Sequence, residues 1–337
     1  MSDLYTPKEI VSLMGLVDTY KRWVNHSQRG ERNYNFYHPS EFGKCLRKQQ
    51  YHHYASIGLI ESKYEEFDSK ILRLFDKGHN MHIRWANYFE GCGVLRGRWK
   101  CANPACQIFR SGGEVGKSLS KENILSSIGE NKSRIYGREE VKGVFKPERC
   151  ICGCTKFEYL EVPVFSEELN IKGHADLIID CSNLSQDTFK KVRTSYNLEL
   201  LPKDGKTVVA DMKTIGSRAW TYQLQNKGPH KEYLIQLTCY AHILDCDYGI
   251  LIYENKDNSE MKWYKVQRNE KWWETIKWQA LTMKNMVEER KLPPPRPKKK
   301  ECYECKGCPY KSICFKSKIW KDEKIEEKRL SFYRELL

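Results

Sequence analysis

The sequence predicts a mixed α/β fold of the α+β kind, with a core sheet flanked by helices. Three observations predict it. Stretches such as 66–90 and 270–290 repeat apolar residues every three or four positions, the spacing of one helix face. Short runs such as Val208-Val209-Ala210 and Gly249-Ile250-Leu251-Ile252 have the length and β-branched content of buried strands. The two kinds of run alternate loosely along 158–290 instead of separating into blocks.

The bulk numbers bound the answer. A chain of 337 residues, 40% hydrophobic and 30% charged, can build one large core or two ordinary ones. Its 58 Lys and Arg exceed its 44 Asp and Glu, leaving +14. A surplus that large favours a polyanionic partner, nucleic acid first, over charge kept for solubility alone. No run approaches the roughly 18 apolar residues of a membrane span. Met1-Ser2-Asp3-Leu4 lacks the basic-then-apolar start of a secretion signal. The expectation is a reducing cytoplasm and no membrane contact. There, clustered cysteines read as metal ligands rather than disulfides.

In chain order, Thr6-Pro7-Lys8-Glu9 offers a cap, a first-turn proline and a capping-box acid, which predicts a helix to about Trp23. Residues 26–36 are polar loop. Pro39-Ser40 starts a second helix carrying Cys45, Arg47 and the polar-aromatic run Gln49 to Tyr54. A third covers about 66–90, with Ile71, Leu74, Gly78, His82, Trp85 and Phe89 on one face. These 90 residues form an N-terminal helical region. A histidine on such a stripe is ordinarily a core residue.

Residues 91–157 read as a cysteine-rich insert. Cys101-x4-Cys106 opens it, and Cys150, Cys152 and Cys154 close it. Paired thiols on either side of a long loop are the pattern of a zinc ribbon. Neither half has the usual C-x2-C spacing, and which two of the last three bind zinc is open. Ser111 to Ser118 nearly spells a phosphate-binding loop, but serine replaces its first glycine and no apolar strand precedes it, so nucleotide binding is not expected.

The core, 158–290, continues with a strand at 159–164, a hairpin and a strand at 171–180. A polar loop at 182–204 leads to the strand Val208 to Lys213. Strand side chains alternate, so Asp211 and Lys213 share a face and Met212 takes the other. A helix at 230–245 puts Leu234, Leu237, Ala241 and Leu244 inward, with Gln236 and Tyr240 four apart on another face. Strands at 249–254 and 261–266 and the helix at 270–290 follow. Residues 291–337 combine a stiff basic linker, Leu292 to Lys300, with Cys302, Cys305, Cys308 and Cys314 and a charged terminal helix at about 317–337. Basic and aromatic residues interleave at Arg47 to Tyr54 and Trp272 to Trp278. Such a mixture suits a single-strand groove, although core packing fits the tryptophans better.

Read together, the chain presents His82 on a helix, Gly173-x-x-Asp176 and Asp211-x-Lys213 on strands, and Gln236-x3-Tyr240 on the next helix. This order resembles the RecB-like branch of the PD-(D/E)XK nucleases. Asp211 stands where Glu is commoner, which the family pattern allows. The frame of Cys45 with Cys305-x2-Cys308-x5-Cys314 resembles the iron–sulfur version of that fold, found in CRISPR-associated RecB-like exonucleases and AddB-type nuclease domains. The resemblance covers about 36–90 and 158–316 and nothing of the insert.

The resemblance implies a restriction-endonuclease-like core whose chain ends are joined by a metal cluster. His82, Asp176 and Asp211, with the Met212 carbonyl, would hold Mn²⁺ or Mg²⁺, and the histidine tilts the choice toward Mn²⁺. Lys213 would orient the attacking water, and Gln236 and Tyr240 would contact the DNA backbone or position Lys213. Cys45, Cys305, Cys308 and Cys314 would hold a [4Fe–4S] cluster, with zinc on the same thiols as runner-up and Cys302 as a spare candidate. Glu161 is a candidate supporting acid, with a plain surface role as its equal alternative. The implied activity is a metal-dependent exonuclease on single-stranded DNA or duplex ends in recombination, replication or repair. Helicase or CRISPR-adaptation proteins are its implied partners. The alternative is an inactive DNA-binding or accessory subunit in such a complex.

Overall fold

The computed structural model describes residues 7–27, 33–63, 67–103, 106, 135–136, 142–184, 206–300 and 302–337. Its centre is a mixed sheet in the order β10-β9-β8-β7-β1-β2, flanked by helices. The strands that place the site are β1 (Leu95–Cys101), β4 (Phe157–Leu160), β5 (Val162–Ser166), β6 (Ile171–Ala175), β7 (Leu177–Asp180), β8 (Thr207–Ile215), β9 (Tyr248–Asn255) and β10 (Met261–Gln267). The short strands β2 (Ile135–Tyr136) and β3 (Val144–Phe145) pair with β1. β8 and β9 run parallel, from Val209↔Gly249 to Ile215↔Asn255, and every other pair is antiparallel. A parallel pair needs a crossover, and α5 (Lys231–Ile243) supplies it.

Preceding α5 are α1 (Pro7–Ser27), α2 (Leu46–Ser56), α3 (Ser69–Gly91) and the short α4 (Ser217–Ala219), which runs into a π turn at Trp220–Gln225. After it come α6 (Glu270–Glu288), α7 (Tyr303–Lys306), α8 (Lys311–Lys316) and α9 (Ile325–Tyr333). The alternation of β8 puts Val208, Ala210 and Met212 into the core under α3, with Met81 and Phe89. Val209 goes into the opposite core, with Leu237 and Tyr240 of α5. Burial on both faces explains why the strand reads as an unbroken apolar run. A third core joins Phe42 and Leu46 to Ile276, Met283 and Tyr333, tying both chain ends to α6.

The structure departs from the sequence reading in five places. Pro39–Glu41 is an isolated 3-10 turn, and α2 starts only after Cys45, which caps it. β1 belongs to the central sheet through Leu95↔Ile179 and Arg96↔Ile178, so the sheet reaches into the stretch taken as an insert. Ile71 and Leu74 are more than a third exposed. Only the later turns of α3 bury their stripe; the earlier ones meet α1, where Arg73 pairs with Asp18 and Lys21 with Asp76. The proline segment is no free linker, because Pro293, Pro294, Pro295 and Pro297 are buried. The terminal helix is broken into Lys318–Lys321, α9 and Arg334–Leu336. The cap at Thr6, the near-phosphate loop at 111–118 and most of the 182–204 loop lie outside the described residues.

Candidate metal centres

The first candidate site forms where the strands after β4 and β6 break. Glu161 sits between β4 and β5, and Asp176 between β6 and β7. Leaving the ladder frees each carboxylate to turn toward α3. Asp176 Oδ2 accepts the Met212 N–H at 2.9 Å and lies 3.5 Å from His82 Nδ1. The Asp176 carbonyl accepts from the Tyr159 hydroxyl at 2.8 Å. Gly173 has a packing reason. A Cβ there would stand 3.0 Å from Pro39 Cδ and 3.4 Å from Tyr240 Cε1, so the glycine lets the hairpin close on α5.

Asp211 and Lys213 share a face, as alternation predicts. Asp211 is fully buried, and Lys213 Nζ stands 2.7 Å from its Oδ2. The Gln236 amide donates to the Tyr240 hydroxyl at 2.9 Å and reaches Asp211 Oδ1 at 3.4 Å. Lys213 Nζ lies 4.8 Å from the centre of the Tyr233 ring, a cation–π contact. Burial pushes the Asp211 carboxyl up to about 6, against the pull of Lys213. Burial disfavours the Lys213 ammonium, but Asp211 and Asp176 outweigh it and the net shift is upward.

Glu161 is the residue the sequence reading undervalued. One carboxylate oxygen of Glu161, one of Asp176 and a ring nitrogen of His82 all lie within 4.8 Å of one another. Burial, then Asp176, pushes the Glu161 carboxyl up to about 7. The sequence signal was slight: a lone acid between two apolar strand runs, Tyr159-Leu160 and Val162-Pro163-Val164. The donor set of one imidazole and two carboxylates, from His82, Glu161 and Asp176, suits Mn²⁺ or Mg²⁺.

A second centre gathers the chain ends. Cys45, Cys305, Cys308 and Cys314 line one cavity with Arg47, Lys48, Lys311 and Trp320. The Cys45 N–H donates to Glu304 at 2.8 Å, and burial pushes its thiol up to about 11. Cys302 lies beside Cys305 but not on the cavity wall. The residues expected to form a single-strand groove clamp this region instead. Arg47 donates to the Pro293 carbonyl at 2.9 Å and to Ser317 Oγ at 3.0 Å. Gln50 donates to the Met283 carbonyl at 3.2 Å and Tyr54 to that of Met286 at 2.9 Å. Trp273 stacks on His242 with ring centres 4.9 Å apart, the packing role expected of the tryptophans.

A third group lies in the former insert. Cys101, Cys106, Cys150 and Cys152 bring their sulfurs within 4.8 Å of one another, close enough to share a metal ion. Cys154 stays outside it, with Sγ 3.4 Å from the Lys156 carbonyl. Cys181, Cys239 and Cys246 are ordinary buried thiols.

Residues 198–315 match the model of the PD-(D/E)XK nuclease superfamily. The mixed sheet with flanking helices is consistent with that fold. The match spans about a third of the chain and takes in Asp211, Lys213, Gln236, Tyr240, Cys305, Cys308 and Cys314, while His82, Asp176 and Cys45 lie outside it. No curated protein matches the chain. Among solved structures, the crystal structure of SSO0001 aligns at 14% identity over 90% of this chain and 96% of that one. Its TM-score is 0.39, too low to carry an argument. No helix among the described residues is long and apolar enough to cross a membrane.

Proposed function

We propose that the chain is a divalent-metal-dependent DNA exonuclease of the RecB-like kind, acting on single strands or duplex ends. The observation that supports it best is the convergence of His82, Asp176, Asp211 and Lys213, from α3, the β6–β7 break and β8, beside the Gln236–Tyr240 pair of α5. A buried Asp–Lys pair alone is a common structural feature. One joined to a histidine and two further carboxylates at strand ends supports the reading of a metal site.

His82, Asp176 and Asp211 are the residues that would hold Mn²⁺ or Mg²⁺, with Glu161 beside them. A cation there would polarise the scissile phosphate and acidify its water. The chain's own groups do the rest. Gln236, braced by Tyr240, holds the Asp211 carboxylate in place. Asp211 and the Tyr233 ring keep Lys213 charged and aimed, ready to orient water and to offset charge on the phosphate. The net charge of +14 suits a polyanionic substrate.

The cavity of Cys45, Cys305, Cys308 and Cys314 is our candidate for a structural [4Fe–4S] cluster. Its four sulfurs are not drawn within the 4.8 Å that groups the insert thiols. Thiolates on separate irons stand further apart than thiolates on one ion, and Arg47, Lys48 and Lys311 complement their charge. The test is digestion of end-labelled single-stranded and duplex DNA with Mn²⁺ and with EDTA. Loss of label with Mn²⁺ only is expected. Intact DNA under every condition would contradict the proposal and favour an inactive binding subunit.

A further inference from the structure

We propose that Cys101, Cys106, Cys150 and Cys152 bind one zinc ion, which pins the end of β1 to the start of β4 and so fixes the strand leading to Tyr159 and Glu161. The centre does not depend on the nuclease reading, since its ligands lie outside that site.

Geometry selects the ligands. Cys101 and Cys152 sulfurs are 3.6 Å apart, and so are those of Cys106 and Cys150. Four thiolates at about 2.3 Å from a tetrahedral zinc stand about 3.8 Å from each other. Two disulfides would also draw the sulfurs into pairs, but they give no reason for all four to lie within 4.8 Å of one another. A four-iron cluster needs a wider spread.

Backbone geometry builds both loops around the ion. Cys150 N donates to the Cys154 carbonyl at 2.7 Å, and Gly153 N to the Cys150 carbonyl at 2.8 Å. Gly153, at φ +85, supplies the left-handed residue this turn requires. Cys154 therefore shapes the turn by its carbonyl and leaves ligation to its neighbours. On the other side Cys106 N donates to the Asn103 carbonyl at 3.0 Å, and Asn103 Nδ2 points at Cys152 Sγ from 3.6 Å. That amide would offset part of the negative charge of a four-thiolate site.

Position gives the ion its task. Cys101, the last residue of β1, pairs with Phe157, the first of β4, and Ala102 N donates to the Lys156 carbonyl at 3.0 Å. The apolar support here is slight: Cys101, Cys106 and Cys150 with Tyr136 and Phe157 around them. The β1–β4 ladder ends at Cys101↔Phe157, and beyond it so small a cluster adds little, where a metal is the usual staple. From the pinned end β4 runs four residues to Glu161, and its Tyr159 donates to the Asp176 carbonyl.

The test uses the full chain. Metal analysis of purified protein should find one zinc that persists in Cys305→Ser and Cys154→Ser and is lost or weakened in Cys106→Ser and Cys152→Ser. Cys152 is the exposed ligand, so Cys152→Ser removes a metal bond with little loss of packing. In that variant, hydrogen exchange at 157–160 should quicken by about tenfold or more, as a local opening. Cobalt exchanged into the unmodified protein should show the intense visible bands of tetrahedral thiolate. Any of three results would overturn the proposal: protein without zinc, two disulfides by mass, or zinc that follows Cys154 instead of Cys152.

Discussion

Replacing Asp211 and Lys213 together, as Asp211→Asn with Lys213→Met, should abolish hydrolysis and leave the fold as stable or more so. Asp211 is fully buried and its carboxyl is pushed up from 3.8 to about 6. At about 1.4 kcal/mol per pH unit, keeping it ionised at neutral pH costs the folded state about 3 kcal/mol. That figure already includes the pull of Lys213 on the carboxylate. Neutral residues of similar shape remove both effects, and exchanging buried pairs for such residues is typically neutral or stabilising by about 1–4 kcal/mol. The pH sign follows. A raised carboxyl binds its proton more tightly when folded, so the unmodified protein loses stability as pH rises from about 4 to about 6. The double variant's advantage should therefore grow over that window and then level off. Urea unfolding at several pH values, without divalent cations, measures it. A loss of more than about 2 kcal/mol at neutral pH would show that the pair holds the fold together and would refute this reasoning.

Glu161, raised to about 7, and Asp211, raised to about 6, take up protons as pH falls below those values, where a cation would bind. The rise in unfolding temperature caused by Mn²⁺ should therefore be small at about pH 5 and largest above about pH 7; an equal rise at both would remove Glu161 and Asp211 from the cation site. Gly97→Ala would push a methyl group into the Tyr159 ring. It should cost about 1–3 kcal/mol and lower activity by loosening Tyr159 from Asp176, with unchanged stability and activity as the contrary result. Cys45→Ser and Cys305→Ser should each remove iron and lower the unfolding temperature without changing zinc content, and iron retained in both would dismiss the cluster.

The strand from Val208 to Lys213 was legible because burial on both faces leaves an apolar run with two charges at its end. His82 could be singled out by its place in a motif, but its stripe was misread. Periodicity puts Ile71 and Leu74 on the same face as Phe89, whereas the first turns pack on another helix through ion pairs that periodicity does not reveal. Glu161 was only half visible. Its importance comes from β4 and β5 breaking at one residue, a tertiary event with no local signature beyond an acid among apolar neighbours. The proline-rich segment misled for a related reason. Composition suggested a solvated spacer, yet its carbonyls are the acceptors for Arg47 and Tyr333, which local sequence cannot announce. Arg47 to Tyr54 looked like a nucleic-acid surface because cations and rings serve equally well as an internal clamp.

The most direct measurement is the single-turnover cleavage rate of end-labelled single-stranded DNA with Mn²⁺, comparing the unmodified protein with Lys213→Ala. Among the described residues, Lys213 pairs with Asp211 and lies over the Tyr233 ring, both in the candidate site. The account predicts a fall of about a hundredfold or more with iron, zinc and folding intact. A variant that cleaves at the unmodified rate would contradict it.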